Sequence, residues 1–418
     1  MYHNIKNIIN NPVLRKPQTV IGLWIALSLI ASITKKVTNN YLIYKYSFYH
    51  LINQDHMYCH HLTEYNDLHH YGPIFSVLIA PFALLPDIIG VSLWHLSLTI
   101  FICWAIRQSQ FTWKEQLFIF WFCMHELLTA LFMSQVNIAI AGMVLLSFCY
   151  IRQEKERWSA FFIVLATFIK LFGIAGLAFF FFSKHKKQLI DWILIWSLVM
   201  FVVPMFFSSP SYIISQYSEW YTAIADKSYN SHFADCQNIS LLGMIRKIGY
   251  AFHLGYTDYM SFFNAQLLPT EKCFWTTYSD LPLVIGGVVL FTLPYLRFGQ
   301  WKNEAYQKMI FASAMMFLCL FSTSSESSGY IIALIGVVIW YVSVPWERGL
   351  WDKWLMVFVF ILTSMSPSDL IPPSIRYGII WPFALKAFPV AICWLRLTYE
   401  ILTKDYTIDK QPAPLQSI

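Results

Sequence analysis

The sequence predicts an all-α polytopic membrane protein, because it is too apolar and too poor in charge for a soluble domain. Hydrophobic residues make up 57% of the 418 residues and charged residues 12%, whereas typical soluble domains carry about 25% charged residues. The mean hydropathy is +0.51. Two apolar runs, residues 20–33 and 90–106, approach the length of about 20 residues that crosses a bilayer. The 17 Trp and 24 Tyr fit many membrane–water interfaces, where amphipathic rings collect.

Basic residues predict which helix ends face the cytoplasm. Seven clusters of Lys and Arg fit on one side in short loops, as the positive-inside rule requires, and this arrangement needs about 12 crossings with both termini cytoplasmic. The clusters contain Lys6, Arg15 and Lys16; Arg107 and Lys114; Arg152, Lys155 and Arg157; Lys184, Lys186 and Lys187; Arg297, Lys302 and Lys308; Arg348 and Lys353; and Arg396, Lys404 and Lys410. Because these loops explain the net charge of +6, the charge indicates no nucleic-acid partner.

The same rule predicts the domain organisation. We expect a cytoplasmic tail over 1–17, a single transmembrane domain over 18–397 with outer segments at about 35–87 and 208–280, and a cytoplasmic tail over 398–418. A single helix through WSAFFIVLATFIKLFGIAGLAFFFF (158–182) would place the next basic cluster outside. We therefore expect a tight hairpin that turns near Lys170 and Gly173.

Polar residues gather at the outer ends of the predicted helices. The acids on that side are Asp55, Glu64, Asp67, Glu219, Asp226, Asp235, Glu271, Asp280, Glu326 and Asp369. A simple channel would instead place its polar residues along the helices, within the membrane. This distribution therefore indicates a site at the outer membrane surface.

The stretch TEYNDLHHYGPIFSVLIAPFALLPD (63–87) joins such a polar cluster to an apolar segment. Residues 74–87 are too few to span a bilayer and contain Pro81 and Pro86, which interrupt helical hydrogen bonding. We expect this segment to lie along or dip into the outer leaflet, before a true helix at about 88–106. The polar cluster would then meet a substrate with a lipid tail and a polar head, although a plain interfacial anchor explains the same spacing.

The order of the motifs resembles glycosyltransferase family 87, whose members carry the domain of unknown function 2029 and share the GT-C fold. The matching segments are NNYLIYKYSFYHLINQDHMY (39–58), HYGPIFSVLIAPFALLPD (70–87), MSQVNIAIAGMVLLSF (133–148), FIKLFGIAGLAFFFF (168–182), QNISLLGMIRKI (237–248) and SSESSGYIIALIGVVIW (324–340). Each motif is soft alone, but their order over roughly residues 35–395 is specific. The resemblance implies a GT-C-like transmembrane domain.

Similar enzymes move a hexose, usually mannose, from a polyprenyl-phosphate donor to a glycan or glycolipid hydroxyl at the outer face of the membrane. The resemblance thus implies a hexosyltransferase in a bacterial inner membrane, multi-pass, with its active site facing the periplasm or exterior. We expect inversion, because a single in-line attack displaces the lipid phosphate. Such a site needs a cation for the phosphate and a carboxylate that takes the acceptor's proton.

The sequence departs from the family at the position of its catalytic Asp, which is Asn40 here. An amide cannot accept a proton as a carboxylate does. A neighbouring acid (Asp67, Asp55 or Glu64) could serve as base, Glu326 could reach in from its own turn, or the chain could be a catalytically impaired member. We favour Asp67, because it lies beside His69, His70 and Tyr71. The family's Tyr-Pro-Pro has become Tyr71-Gly72-Pro73.

Lys170 is the first candidate for binding the donor phosphate, because a lysine between two apolar half-spans is costly, although snorkelling to the lipid headgroups is the alternative explanation. Arg246 and Lys247 could add charge, although a solvated face is the plainer explanation for a pair in an exposed loop. The candidate substrate-binding residues are Tyr44, His69, His70, Tyr71, Gln135, Asn137 and Tyr330. Capping of the fourth helix explains Gln135 and Asn137 equally well, and capping also explains the serines around Glu326.

Six histidines, His50, His56, His60, His61, His69 and His70, lie near Asp55, Glu64 and Asp67. These residue types can bind a divalent metal. However, His60 and His61 are adjacent instead of spaced for chelation, so we expect interfacial histidines without metal, and no cofactor. The eight cysteines are scattered without a CxxC pair and predict neither a zinc site nor a disulfide scaffold.

Two other classes of protein remain open. A transporter or flippase for a lipid-linked or polyanionic substrate would match the number of helices, but the sequence has no convincing internal repeat. A membrane acyltransferase would need a buried intramembrane histidine, for which His95 and His125 are the candidates.

Overall fold

The computed structural model describes residues 11–230, 233, 237–267 and 272–407, and these residues are helical with no strand. The all-α prediction is therefore confirmed for the described chain. The predicted outer acids Asp235 and Glu271 and the basic residues Lys6 and Lys410 lie outside it. The chain divides into two compact units, Met1–Asn230 and Ser231–Ile418.

The first unit contains ten α-helices and a long 3₁₀ helix in the described residues. The α-helices are α1 (Pro17–Lys35), α2 (Asn39–Asn53), α3 (Pro73–Ala83), α4 (Asp87–Gln108), α5 (Trp113–Phe122), α6 (Met124–Phe132), α7 (Asn137–Arg152), α8 (Glu156–Ile169), α9 (Lys186–Val202) and α10 (Pro210–Asn230). The 3₁₀ helix Leu171–Phe182 lies between α8 and α9.

Side-chain caps determine where several of these helices begin. The Thr38 hydroxyl accepts from the Tyr41 amide at the start of α2, and Thr112 and Glu115 form a reciprocal capping box at α5. Such caps satisfy amides that have no partner within the helix. Proline at the first position of α1 and α3 fits the same place, where its missing N–H costs nothing.

The segment after Gly72 forms a short helix followed by a long one, as predicted. Helix α3 ends at Ala83 and α4 begins at Asp87, with Pro86 as its N-terminal cap. Pro81 lies inside α3, two residues before its end, and so does not itself terminate the helix.

The predicted reversal near Lys170 is confirmed. Helix α8 ends at Ile169, Lys170 is extended (φ −151°, ψ 129°), and the 3₁₀ helix then runs back along α8. A Cβ on Gly173 would lie 2.4 Å from the Ala166 carbonyl carbon, and one on Gly176 would lie 2.5 Å from Ile163. This antiparallel pairing requires glycine on the inner face of the 3₁₀ arm.

The second unit is also helical in its described residues. Its α-helices are α11 (Leu241–Leu254), α12 (Tyr256–Asn264), α13 (Phe274–Thr277), α14 (Asp280–Thr292), α15 (Glu304–Leu320), α16 (Tyr330–Val342), α17 (Leu350–Phe358), α18 (Pro373–Ile375) and α19 (Ala387–Thr403). Helix α16 is buried on every side from Tyr330 to Trp340. It forms the core of this unit, as expected of a helix that is apolar all round.

Three described helices are long and apolar enough to cross a membrane: Pro17–Lys35, Asp87–Gln108 and Lys186–Phe206. A fourth crossing results if α5 and α6, which are bent by 48° relative to each other, form one broken span. Other apolar helices, such as α3, α7 and the 3₁₀ helix, are shorter. The protein is thus a membrane protein by its apolar helices, while the count of about 12 crossings and the cytoplasmic termini stay predictions, as does the single transmembrane domain.

Candidate functional site

Lys170 makes a polar contact at the turn of the hairpin. Its Nζ donates to Asn137 Oδ1 at 3.0 Å, and Asn137 Nδ2 donates to Gln135 Oε1 at 3.2 Å. Both amide residues are buried. Helix α7, which begins at Asn137, has no side-chain cap. The capping explanation is therefore wrong, and the two amides instead hold an ammonium group.

The turn before Gln135 connects this pair to the start of α2. Ser134, in the left-handed region with φ 51°, accepts a hydrogen bond from the Thr38 hydroxyl at 2.8 Å. Trp94 Nε1 donates to the Ser134 carbonyl at 3.0 Å, and His95 Nε2 lies 2.8 Å from the Ser134 hydroxyl. Because His95 also contacts Ser32 at 2.9 Å, this histidine joins helices and is not free to act as an acyltransferase base.

Asn40, at the position of the family's acid, lies against the same turn. Its side-chain Nδ2 donates to the Met133 carbonyl at 2.8 Å. A carboxylate has no proton to donate and could not make this contact. The position is thus close to the Lys170 site, but Asn40 acts there as a hydrogen-bond donor.

A pair of asparagines joins the residue before Asp67 to the first residue of α2. The Asn66 amide donates to Asn39 Oδ1 at 2.8 Å, and the Asn39 side-chain amide donates to the Asn66 carbonyl. The next residue, Asp67, is exposed and has φ 94°, and its Oδ1 accepts from the Leu68 amide at 2.8 Å. The loop therefore presents a solvent-accessible carboxylate next to the start of α2.

Three backbone contacts fix the stretch from His70 to Gly72. The His70 carbonyl accepts from Trp220 Nε1 at 3.0 Å, and the Tyr71 carbonyl accepts from the Tyr58 hydroxyl at 2.8 Å. The Gly72 amide donates to the Ile169 carbonyl at 3.2 Å. Ile169 immediately precedes Lys170, so the stretch lies against the tip of the hairpin.

Gly72 is required at this contact. A Cβ at this position would lie 2.1 Å from the Phe168 carbonyl oxygen, and a proline would lack the N–H that bonds Ile169. The change from the family's Tyr-Pro-Pro to Tyr71-Gly72-Pro73 thus has a local reason.

Tyr71 is positioned by Tyr44, one turn after Asn40 on α2. The two hydroxyls lie 3.1 Å apart, and the rings pack edge to face with centroids 5.1 Å apart. Tyr44 is fully buried and supports Tyr71, while its part in binding a substrate stays a prediction.

The two adjacent histidines have neutral rings at physiological pH. Burial, with smaller contributions from His70 and His50, lowers the pKa of His69 to about 3. Neither ring nitrogen of this fully buried residue has a hydrogen bond with the described residues. Burial, and then the positive charges of Lys227 and Lys170, lower the pKa of His70 to about 3. A neutral His70 therefore lies in the field of the Lys170 ammonium.

In the second unit, Arg246 and Lys247 lie on α11 and are buried. The expectation of an exposed loop is wrong. Arg246 Nη2 pairs with Asp280 Oδ2 at 2.6 Å, and its Nη1 donates to the Thr276 carbonyl at 2.8 Å. Its guanidinium is thus engaged in an internal ion pair. Lys247 Nζ lies 3.4 Å from the Gln237 carbonyl.

Glu326 and Tyr330 lie in a polar turn of this unit. The Tyr330 hydroxyl donates to the Ile239 carbonyl at 2.8 Å, and the Ile239 amide donates to the Ser325 carbonyl at 2.8 Å. The serines make no helix cap here, so the capping explanation is wrong for them as well.

Lys386, which was not among the residues predicted from the sequence, also contacts this turn. Its Nζ donates to the Ser327 carbonyl and hydroxyl at 2.8 and 3.0 Å and lies 5.1 Å from the centre of the Tyr330 ring. A buried lysine in an apolar segment is itself a signal of function, and this lysine adds a cation beside Glu326's turn.

A separate cavity of about 250 Å³ opens between the loop after α2 and helix α10. It is lined by His56, Tyr58, Cys59, Leu68, Ser218, Glu219, Thr222, Ala223 and Asp226. The carboxylates of Glu219 and Asp226 and the Tyr58 ring are groups suited to sugar hydroxyls and faces. Lys170 and Asp67 do not line this cavity, although Leu68 belongs to the loop that carries Asp67.

A sequence model of glycosyltransferase family 87 matches residues 69–323, more than half of the chain. The chain belongs to glycosyltransferase family 87. The suspected family is confirmed, and with it a membrane glycosyltransferase. The family 87 match includes His70, Lys170 and Lys247 and begins just after Asp67. A comparison with curated proteins found no match.

Proposed function

We propose that this family 87 protein transfers a hexose, expected to be mannose, from a polyprenyl-phosphate donor to a hydroxyl of a glycan or glycolipid. The reaction takes place at the outer face of a bacterial inner membrane and inverts the anomeric centre. The observation that carries the proposal is the Lys170 ammonium, held 3.0 Å from Asn137 Oδ1 at the tip of an apolar hairpin.

The donor phosphate binds at Lys170. Asn137 and Gln135 orient the ammonium, and the backbone bond from Gly72 to Ile169 brings Tyr71 and His70 to the same end of the hairpin. A positioned cation in a poorly solvated site stabilises the charge that develops on the leaving phosphate. Because His70 is neutral, it does not compete with Lys170 for that charge and can bond a sugar hydroxyl.

Asp67 accepts the proton of the acceptor. The acceptor oxygen forms a bond with the anomeric carbon while the bond from that carbon to the phosphate oxygen breaks. The electron pair leaves on the phosphate, and the acceptor proton goes to the carboxylate. The exposed position of Asp67 allows an acceptor to approach from water.

Glu326 is the alternative base, with Lys247, Lys386 and Tyr330 as further candidates for binding in the second unit. We leave Arg246 out of the phosphate-binding set, because its ion pair with Asp280 would have to break first. The competing hypothesis is that the enzyme is catalytically impaired. It is favoured by Asn40, which donates a hydrogen bond to the Met133 carbonyl at the position where the family has its catalytic acid.

The test is transfer of radiolabelled mannose from polyprenyl-phosphate-mannose to a glycolipid fraction by the purified chain in lipid nanodiscs. We expect transfer by the wild type and a loss of about 10²–10³-fold in turnover for Lys170→Met, the size typical of losing one stabilising donor. Lys170→Arg should retain part of the activity, because it keeps the charge.

Lys184→Met is the matched control, since the Lys184 side chain is exposed and pairs with Glu154 at 2.6 Å. Absence of transfer from every polyprenyl-phosphate hexose would support the impaired enzyme. Equal losses for Lys170→Met and Lys184→Met would remove Lys170 from the site.

A further inference from the structure

A group of possible metal ligands lies at the C-terminal end of α2 and in the loop that follows it. His50 Nε2 is 2.8 Å from Glu64 Oε2, and His61 Nδ1 is 3.9 Å from the same oxygen. One ligand atom from each of these three residues lies within 4.8 Å of the others. The proposed transfer reaction uses none of them.

The hydrogen bond on the far side of His61 determines which nitrogen faces the group. His61 Nε2 lies 2.8 Å from the His56 backbone carbonyl, which can only accept, so Nε2 carries the proton. In the neutral ring Nδ1 is then a lone pair, and it faces a carboxylate oxygen. A cation between these two acceptors would satisfy both of them.

His50 presents its Nε2 to the same carboxylate oxygen. The residue is buried, and its Nδ1 has no hydrogen bond with the described residues. Its ring stacks on that of His61, with centroids 3.9 Å apart and planes inclined by 26°. Glu64 Oε2 therefore lies close to nitrogens of two stacked imidazole rings.

We propose that His50, His61 and Glu64 bind one divalent transition-metal ion, with Zn²⁺ as the ion that fits best. Tetrahedral zinc with bonds of about 2.0–2.1 Å places its ligand atoms about 3.4 Å apart. The observed separations of 2.8 and 3.9 Å bracket that value, so small side-chain rotations suffice. The His56 carbonyl holds the tautomer of His61, as outer-shell partners of metal-bound histidines do.

Three protein ligands leave the fourth position of the ion to water. The ion would join the end of α2 to the loop, whose later part is fixed by the Asn39 and Asn66 pair. Asp67 and His70 follow in that loop. The inference is independent of the proposed transfer, because the metal ion would stabilise the loop after α2 and take no part in the reaction.

The test uses the full chain, freed of any histidine tag, treated with chelator and then equilibrated with Zn²⁺. We expect one bound zinc per chain by elemental analysis, and a visible absorption spectrum typical of tetrahedral cobalt when Co²⁺ replaces it. His61→Ala and Glu64→Gln should weaken binding more than about 100-fold, the upper range for losing a mere outer-shell partner. Zn²⁺ should raise the Tm of the wild type and leave that of these variants unchanged.

His60→Ala is the matched control, because His60 is adjacent but exposed, and it should bind zinc like the wild type. The cobalt spectrum of the wild type needs no variant and so does not depend on how the variants fold. No bound metal in the wild type would overturn the proposal. Equal binding by all four proteins would place the ion elsewhere.

Discussion

Asp67 has a backbone conformation that few side chains adopt. Its φ of 94° lies in the left-handed region, where only glycine, asparagine and aspartate are at all common. The reciprocal hydrogen bonds of Asn39 and Asn66 hold the preceding residue. The loop thus keeps a carboxylate at a fixed place, although the backbone would relax elsewhere without those contacts.

Asp67→Asn should lower transfer by about 10²–10⁴-fold, the usual contribution of a positioned general base. Asparagine tolerates positive φ, so the Tm should stay that of the wild type. Turnover and Tm of the purified variant check both statements. Asp258→Asn, at an exposed acid on α12, is the control. If Glu326→Gln loses activity while Asp67→Asn does not, the base lies in the second unit.

The adjacent residues His69 and His70 predict sensitivity to acid. Both have a pKa of about 3 in the folded state, compared with about 6.5 in an unfolded chain. The unfolded state therefore binds protons first, and the stability conferred by the neutral rings is lost as the pH falls from about 6.5 towards 3. The Tm in chelator-containing buffer should fall between pH 7.5 and pH 4.5.

The fall in Tm should be smaller for His69→Phe, whose ring suits the contacts with Tyr58 and Tyr71 and loses no hydrogen bond. His60→Gln, at an exposed site, should show the same fall in Tm as the wild type. A pH profile identical in all three proteins would show that other groups control acid stability.

Individual candidate residues could be picked out because each polar residue follows an apolar run and so belongs to a helix end. Gln135, Asn137 and Lys170 were found in this way. The bond between Lys170 and Asn137 could not be predicted, because it joins residues 33 positions apart. The meeting of His50 with His61 depends equally on the path of a loop, which spacing along the chain does not reveal.

At the scale of elements, the hairpin formed by α8 and the 3₁₀ helix positions the site. Charge distribution predicted its turn, but nothing in the composition of LFGIAGLAFFFF separates a 3₁₀ from an α-helix. At about 2.0 Å per residue, 12 residues of 3₁₀ helix extend about 24 Å. The 14 residues of α8 extend about 21 Å at 1.5 Å per residue. Because the 3₁₀ helix rises further per residue, its 12 residues span about the same distance as the 14 residues of α8.

Gly173→Ala should destabilise the protein by about 1–3 kcal/mol, as overpacking does. The added Cβ would meet the Thr167 amide nitrogen at 2.2 Å and the Ala166 carbonyl carbon at 2.4 Å, and backbone atoms cannot rotate away. Because the Gly173 amide bonds the Lys170 carbonyl, transfer activity should fall too.

The Tm and turnover of Gly173→Ala check this expectation. Gly22→Ala, on α1, is the control, since a Cβ there meets nothing within 4 Å and alanine favours a helix. Equal Tm values for the two variants would mean that the arms do not pack as described.

At the scale of the whole molecule, composition was enough to predict the membrane class and the absence of strands in the described chain. The number of crossings is harder to predict, because several apolar helices are too short to span alone. Pro204 and Pro294 each lie in a 3₁₀ turn that follows a longer α-helix. The apolar run in the sequence therefore extends past the residue at which the α-helix ends.

The short arms of the hairpin have a consequence for the lipid around it. A hydrocarbon core is about 30 Å thick, several ångströms more than either arm, and such mismatch costs fractions of a kcal/mol per Å. Thinning of the bilayer bordering the hairpin is one way to remove this mismatch, and it would lower the headgroup plane towards Lys170. The proposed lipid donor would then bring its phosphate to the ammonium without lifting its tail out of the bilayer.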